Sequence, residues 1–146
     1  MAPSSRPAQV NQLAIELRDA ITRLNRRLRQ TRPLGEVTVA QISALLSLDA
    51  AGALTPRELA EAERVQPPTM TRIVAKLEDR GLVQRTPHPT DGRQVVLAPS
   101  QAGRDMLDEY RRARDEWLAQ RLGALTPEER ETVHRAAEIL NRLAKD

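Results

Sequence analysis

Cysteine is missing from all 146 residues. Its absence excludes disulfides, thiol catalysis, cysteine-based redox sensing and thiolate metal sites, and it fits a reducing compartment. Aromatic side chains are nearly missing as well, with Tyr110 and Trp117 alone. Proteins that hold single strands or RNA need stacking platforms, so a nucleic-acid partner of this chain would be duplex. Histidine is confined to His88 and His134, too few and too scattered for a metal site, and both are expected to face solvent. No segment approaches the roughly 18 uninterrupted apolar residues of a membrane span. The opening MAPSSRPAQV has no apolar h-region, so a cytoplasmic protein without a membrane partner is expected. Nucleophile elbows, phosphate loops and metal-ligand spacings are all lacking, which argues against an enzyme and implies neither cofactor nor metal.

What the chain does have is arginine. Lys76 and Lys145 are the only lysines among 23 Lys and Arg; the rest are arginine, and against 20 Asp and Glu they leave a net charge of +3. That excess suits a polyanion without identifying one. The length fits one domain with a core of its own.

Apolar periodicity is mostly helical. Leu13, Leu17, Ile21, Leu24 and Leu28 form one stripe on a helix ending before Pro33. VTVAQISALLSL predicts a second helix with Val39, Ile42, Leu45, Leu46 and Leu48 facing inward. TPREL reads as a capping box, with Thr55 at the cap, Pro56 first in the helix and Glu58 reaching back, for a short helix over 56–64. QPPTMTRIVAKLEDRGLV opens on prolines and closes at Gly81, a left-handed stop. Met70, Ile73, Val74 and Leu77 mark its buried face, leaving Pro68, Thr69, Arg72 and Lys76 outside with Thr71 at the border.

LVQRTPHPTDGRQVVLAP (82–99) predicts a hairpin, because Asp91 and Gly92 tolerate positive φ and Pro87 and Pro89 stiffen the approach. An isolated hairpin is marginal in water, so the preceding helices must hold it. Ser100 can cap a long helix to about residue 122, and TPEER repeats the capping box at Thr126 for a last helix. DEYRRARDE is expected to be a charged solvent face laced with i, i+4 pairs. The fold expected is mainly α with a small β-hairpin wing: a winged helix-turn-helix flanked by N- and C-terminal helices.

In such an arrangement the second helix of the turn crosses the major groove of DNA. Thr69 and Thr71 can donate to phosphate or bases, Arg72 can pair bidentately with guanine, and Lys76 suits phosphate. The hairpin would carry Arg93 to the neighbouring minor groove, whose negative potential attracts a guanidinium.

These residues resemble the MarR-type winged-helix transcription regulators of bacteria. The resemblance runs from VTVAQISALLSL through LTPRELAEAERVQPPTMTRIVAKLEDRGLVQR to DGRQVVLAPSQAG, and the flanking helices fit by length and pattern. Its specific part is the wing signature, where Asp91, Arg93, Ser100 and Gly103 match, serine standing for threonine and Pro99 for leucine.

The resemblance implies one domain over 1–146, with dimerisation helices at 8–32 and 100–146 and a DNA-binding part at 37–99. It implies an obligate homodimer on a palindromic double-stranded operator, acting as a repressor, the commoner behaviour in the family. DNA contacts fall on Pro68, Thr69, Thr71, Arg72 and Lys76 and the wing contact on Arg93, with Asp91 orienting that arginine through an ion pair. It also implies release by a small aromatic or anionic effector in many members. Trp117, Leu118 and Leu122 read as dimer core rather than a ligand cage. Leu13, Leu17, Ile21, Leu24 and Leu28 at one end, with Leu118, Leu122, Val133, Ile139, Leu140 and Leu143 at the other, give more apolar surface than a winged helix can cover. The competing reading is a winged helix used as a protein-interaction module, against which outward Arg72, Lys76 and Arg93 speak, because protein interfaces centre on apolar and aromatic anchors.

Overall fold

The computed structural model describes residues 6–31 and 35–145. The elements follow as α1 (Arg6–Gln30), α2 (Val39–Ala51), α3 (Pro56–Glu63), α4 (Pro67–Asp79), β1 (Val83–Pro87), β2 (Val95–Pro99), α5 (Gln101–Gly123) and α6 (Pro127–Leu143). This is the mainly α, hairpin-bearing fold expected. Pro33, the expected stop of the first helix, lies outside the described residues. The chain divides into two compact units, residues 32–112 and residues 1–31 with 113–146.

The unit of residues 32–112 is built on local caps around one core. Thr38 caps α2, its hydroxyl oxygen accepting from the Gln41 amide at 3.2 Å while the Gln41 side chain accepts from the Thr38 amide at 3.2 Å. Val37 before the cap and Ile42 in the first turn are both buried, the two positions of a hydrophobic staple. Val39 was expected inward and is instead 43% exposed. With the cap at Thr38, Val37 on the extended approach takes the inward place and Val39 starts the helix on its outer side. The capping box of α3 is as expected, with the Glu58 amide donating to Thr55 at 3.2 Å and the Thr55 amide to Glu58 at 2.8 Å.

Met70, Val74 and Leu77 of α4 join Leu45, Leu48, Leu59, Leu97 and Leu107 in the core, and Ile73 is half-buried against it. Helix α4 stops as read: Gly81 takes φ 68, its amide donates to the Glu78 carbonyl at 2.8 Å, and the Leu82 amide donates to the Leu77 carbonyl at 2.9 Å. That pairing satisfies the last carbonyls of the helix and turns the chain directly into β1.

Strands β1 and β2 pair antiparallel, Val83 opposite Pro99 and Pro87 opposite Val95. Neither Asp91 nor Gly92 takes a positive φ, so the tight left-handed turn expected of Asp-Gly is not formed. A longer loop, 88–94, closes the hairpin, with the His88 amide donating to the Gln94 carbonyl at 3.1 Å and the Gln94 amide to the Asp91 carbonyl at 3.0 Å. The hairpin is held from the other side by Leu54, which exchanges backbone hydrogen bonds of 3.0 and 2.7 Å with Leu97.

Pro99 closes β2. Ser100 then caps α5, accepting from the Gly103 amide at 3.1 Å, and its own amide donates to the Leu82 carbonyl at 3.0 Å. Gly103 is required by close approach, since a Cβ there would stand 2.2 Å from the Leu82 carbonyl oxygen. The charged run on α5 is less solvated than expected: Tyr110 is buried, and Arg111 pairs with Asp49 of α2 at 2.8 Å as well as with Asp108 at 3.6 Å.

The other unit has little interior of its own. Neither α1 nor α6 has a buried residue. Leu13 is 62% exposed and Leu143 68%, with Ile21, Leu24, Val133 and Ile139 also exposed. Leu17, Leu28, Leu118, Leu122 and Leu140 are half-buried. The capping box at Thr126 is formed as expected.

Candidate nucleic-acid interface

A short turn joins α3 to α4. Arg64 ends α3 in the left-handed region at φ 54, its amide bonded back to the Ala60 and Glu61 carbonyls. The Val65 amide returns to the Ala60 carbonyl at 3.0 Å. Val65 is half-buried against the core, which fixes the direction in which α4 leaves. Pro67 and Pro68 occupy the first turn of α4, where a missing N–H costs no helical hydrogen bond.

Burial of Met70, Val74 and Leu77 turns the opposite side of α4 outward. Pro68, Thr71, Arg72 and Lys76 are exposed and Thr69 is half-buried, so one face collects all five residues picked out in this helix. Thr71 differs in one respect from the expectation of a free donor. Its hydroxyl donates to the Pro67 carbonyl at 2.9 Å, so its oxygen is left as an acceptor. Among the described residues, no carboxylate pairs with Arg72, Lys76 or Arg93. Three cations with solvated, uncommitted charges therefore stand on α4 and the wing.

The wing is tied to α4 by an ion pair that sequence reading did not find. Arg85 of β1 reaches Glu78 of α4 at 2.8 Å. The hydrogen bond to Glu78 raises the Arg85 pKa above its ordinary value, a shift that leaves it charged at every physiological pH. Both side chains are partly exposed, so the pair contributes little energy and mainly sets geometry. No local spacing advertises it, because the two residues sit on different elements either side of Gly81.

At the wing tip, Arg93 is exposed as expected, and Asp91 is beside it. The expected ion pair between them is not formed. Asp91 Oδ1 accepts from the Arg93 backbone amide at 3.1 Å, and Oδ2 from the Gln94 side chain at 3.2 Å. Asp91 thus shapes the loop through its backbone and leaves the guanidinium free. His88 is also more than the solvent-facing side chain expected. It is half-buried, and its Nδ1 accepts from the Thr90 and Asp91 amides at 3.2 and 3.1 Å. His134 is exposed on α6, 3.7 Å from Glu138.

Among the described residues, no three His, Asp or Glu gather as metal ligands, and no helix is long and apolar enough to cross a membrane. What the site offers is a convex, cationic, hydroxyl-bearing helix face with a cationic hairpin beside it.

Comparison with known proteins agrees with that chemistry. Residues 37–95 match the profile of the MarR family. An HTH-type transcriptional regulator of Mycobacterium bovis is 46% identical over 134 residues, covering 92% of this chain and 94% of the relative. The transcriptional repressor MdtR of Bacillus subtilis is 34% identical over 109 residues, 75% of this chain and 68% of its own. Among solved structures, a Pseudomonas aeruginosa transcriptional regulator superposes with a TM-score of 0.84 at 34% identity, covering 99% of both chains.

Proposed function

The chain belongs to the MarR family of winged helix-turn-helix, DNA-binding transcriptional regulators, which are not enzymes, and from that premise we propose that it acts as a homodimeric repressor on a palindromic duplex operator. In this reading α4 lies in the major groove. Arg72 takes a base edge, Lys76 a phosphate, and Pro68, Thr69 and Thr71 fit the helix to the groove wall. Arg93 enters the adjacent minor groove, where a planar, weakly hydrated guanidinium loses less than an ammonium would.

The observation that carries the reading is the set of three unpaired cations, Arg72, Lys76 and Arg93, on α4 and on a wing tethered to it by Glu78 and Arg85. A protein-interaction module would need large apolar anchors on the same face, and the exposed positions there are Pro68, Thr71, Arg72, Ala75, Lys76 and Asp79. Homodimerisation accounts for the exposed leucines and isoleucines of α1 and α6. Repression is favoured by the similarity to MdtR, itself a repressor. A cytoplasmic location follows from the same reading.

Release by a small aromatic or anionic effector completes the proposal. Its support is a concavity of about 600 Å³ lined by Arg27, Gln30, Thr31, Trp117 and Arg121, which gives Trp117 a ligand wall in place of the dimer-core role expected from sequence, with the Arg121 guanidinium 4.4 Å from the centre of its ring. The deciding experiment is electrophoretic mobility shift on the promoter of the chain's own operon at low salt, with footprinting to locate the site. Absence of a shift on any duplex would turn the assignment toward the interaction module.

A further inference from the structure

The loop that presents Arg93 is organised around a histidine. His88 Nδ1 lies 3.2 Å from the Thr90 amide nitrogen and 3.1 Å from that of Asp91. A backbone amide can only donate, so this arrangement requires a lone pair on Nδ1, which the imidazole offers in the tautomer that carries its proton on Nε2. The Thr90 hydroxyl adds a third contact to the same atom at 3.4 Å. Asp91 then passes the order on, because the residue whose amide His88 holds is the one whose carboxylate accepts from the Arg93 amide.

We propose that His88 is a positioning residue for the wing contact: its neutral imidazole gathers the Thr90 and Asp91 amides, holds Arg93 toward DNA, and releases it on protonation. The proposal rests on the DNA-binding reading above.

Protonation would put an N–H on Nδ1, directed at two other N–H groups. The ring must then swing away, leaving both amides without their acceptor. The one carboxylate of the 88–94 loop, Asp91, can bind the imidazolium only in competition with the Arg93 amide and Gln94. The other neighbours offer no compensation. Strand β2 has no titratable side chain, and Arg85 of β1 is paired with Glu78. Arg57, Glu58 and Glu61 of α3 border the hairpin at Gln94 and Val95, with Glu58 committed to the Thr55 cap and Glu61 to Arg57.

The sign separates this role from a bland one. A histidine that merely faces solvent beside DNA gains positive charge as pH falls and strengthens binding to phosphate. A histidine that must accept two amides weakens binding over the same range. Only two histidines exist in the chain, so His134→Gln leaves one imidazole to titrate.

In that background, duplex affinity at constant ionic strength should fall roughly threefold to tenfold between neutral and acidic pH as the ring is protonated. His88→Asn places an amide oxygen near the position of Nδ1 and should rescue binding while abolishing the pH dependence. His88→Ala should bind weakly at both pH values, and in an Arg93→Ala chain it should cost nothing more, because it acts only through that arginine. In the free protein, NMR should show the Thr90 and Asp91 amides titrating together with the His88 ring. Amides that ignore the ring, or affinity that rises as pH falls, would overturn the proposal. Titrating amides with no duplex binding by the native chain at any pH would uphold the hydrogen bonds and sink the DNA reading beneath them.

Discussion

Asp91 holds Arg93 by its backbone: its Oδ1 accepts from the Arg93 amide at 3.1 Å, and among the described residues no carboxylate pairs with the guanidinium. The distinction matters for function, since an arginine locked to a carboxylate has its charge offset before DNA arrives. An arginine positioned only at its main chain keeps its whole charge and its five donors for the groove.

Asp91→Asn therefore separates the two arrangements. Asparagine keeps the Oδ1 acceptor and loses the charge, so affinity should stay close to native, or rise slightly as a negative charge leaves the DNA face. Asp91→Ala removes the acceptor and should cost about 0.5–1.5 kcal/mol in binding, less than additively with Arg93→Ala. Fluorescence anisotropy on one labelled duplex compares the native chain, the three single variants and the double variant. Equal losses for Asn and Ala would restore the ion pair.

On α4 the two exposed cations should fail differently. Arg72→Ala should cost roughly 1–3 kcal/mol and relax preference at one position per half-site, while Lys76→Ala should weaken every duplex alike and lower the salt slope by about 1. Salt titrations on an operator and a scrambled duplex distinguish them. If neither substitution changes binding, α4 does not read DNA.

Gly103 is a stability prediction independent of DNA. With Leu82 O only 2.2 Å from where a Cβ would stand, Gly103→Ala must push α5 away from the start of the wing, at a cost of about 1–3 kcal/mol. Urea denaturation should show a lowered midpoint. Gly123, with nothing within 4 Å of a built Cβ, serves as the control, and Gly123→Ala should leave the midpoint nearly in place.

The exposed apolar residues of α1 and α6 predict assembly. Intertwined obligate interfaces commonly exceed about 2,000 Å² in total, so a charge at Leu13 or Ile139, or loss of either terminal helix, should impair folding together with DNA binding. Sedimentation at micromolar concentration should find a dimer. A well-folded monomer there would mean that these side chains serve some other contact.

Whatever closes within one helical turn or repeats along one helix was legible in the order of the amino acids. The capping boxes at Thr55 and Thr126 were legible because a hydroxyl and a carboxylate three residues apart can bond only at a helix start. The buried face of α4 was legible because Met70, Val74 and Leu77 share one side at the helical period, which also consigns Arg72 and Lys76 to the other. Gly81 was legible because its left-handed turn serves a helix end next to it in the chain. Tertiary structure alone decided the rest. Val37 displaced Val39 from the interior according to where the chain enters α2. Leu54 came to pair with Leu97, Gly103 to press on Leu82, and Glu78 to meet Arg85, each by the return of a distant or differently oriented segment that no local period encodes. At the wing tip, the aspartate and arginine types could be read from the motif. Their relationship could not, because whether Asp91 bonds the charge of Arg93 or its amide depends on a loop conformation that His88 and Gln94 close together in space.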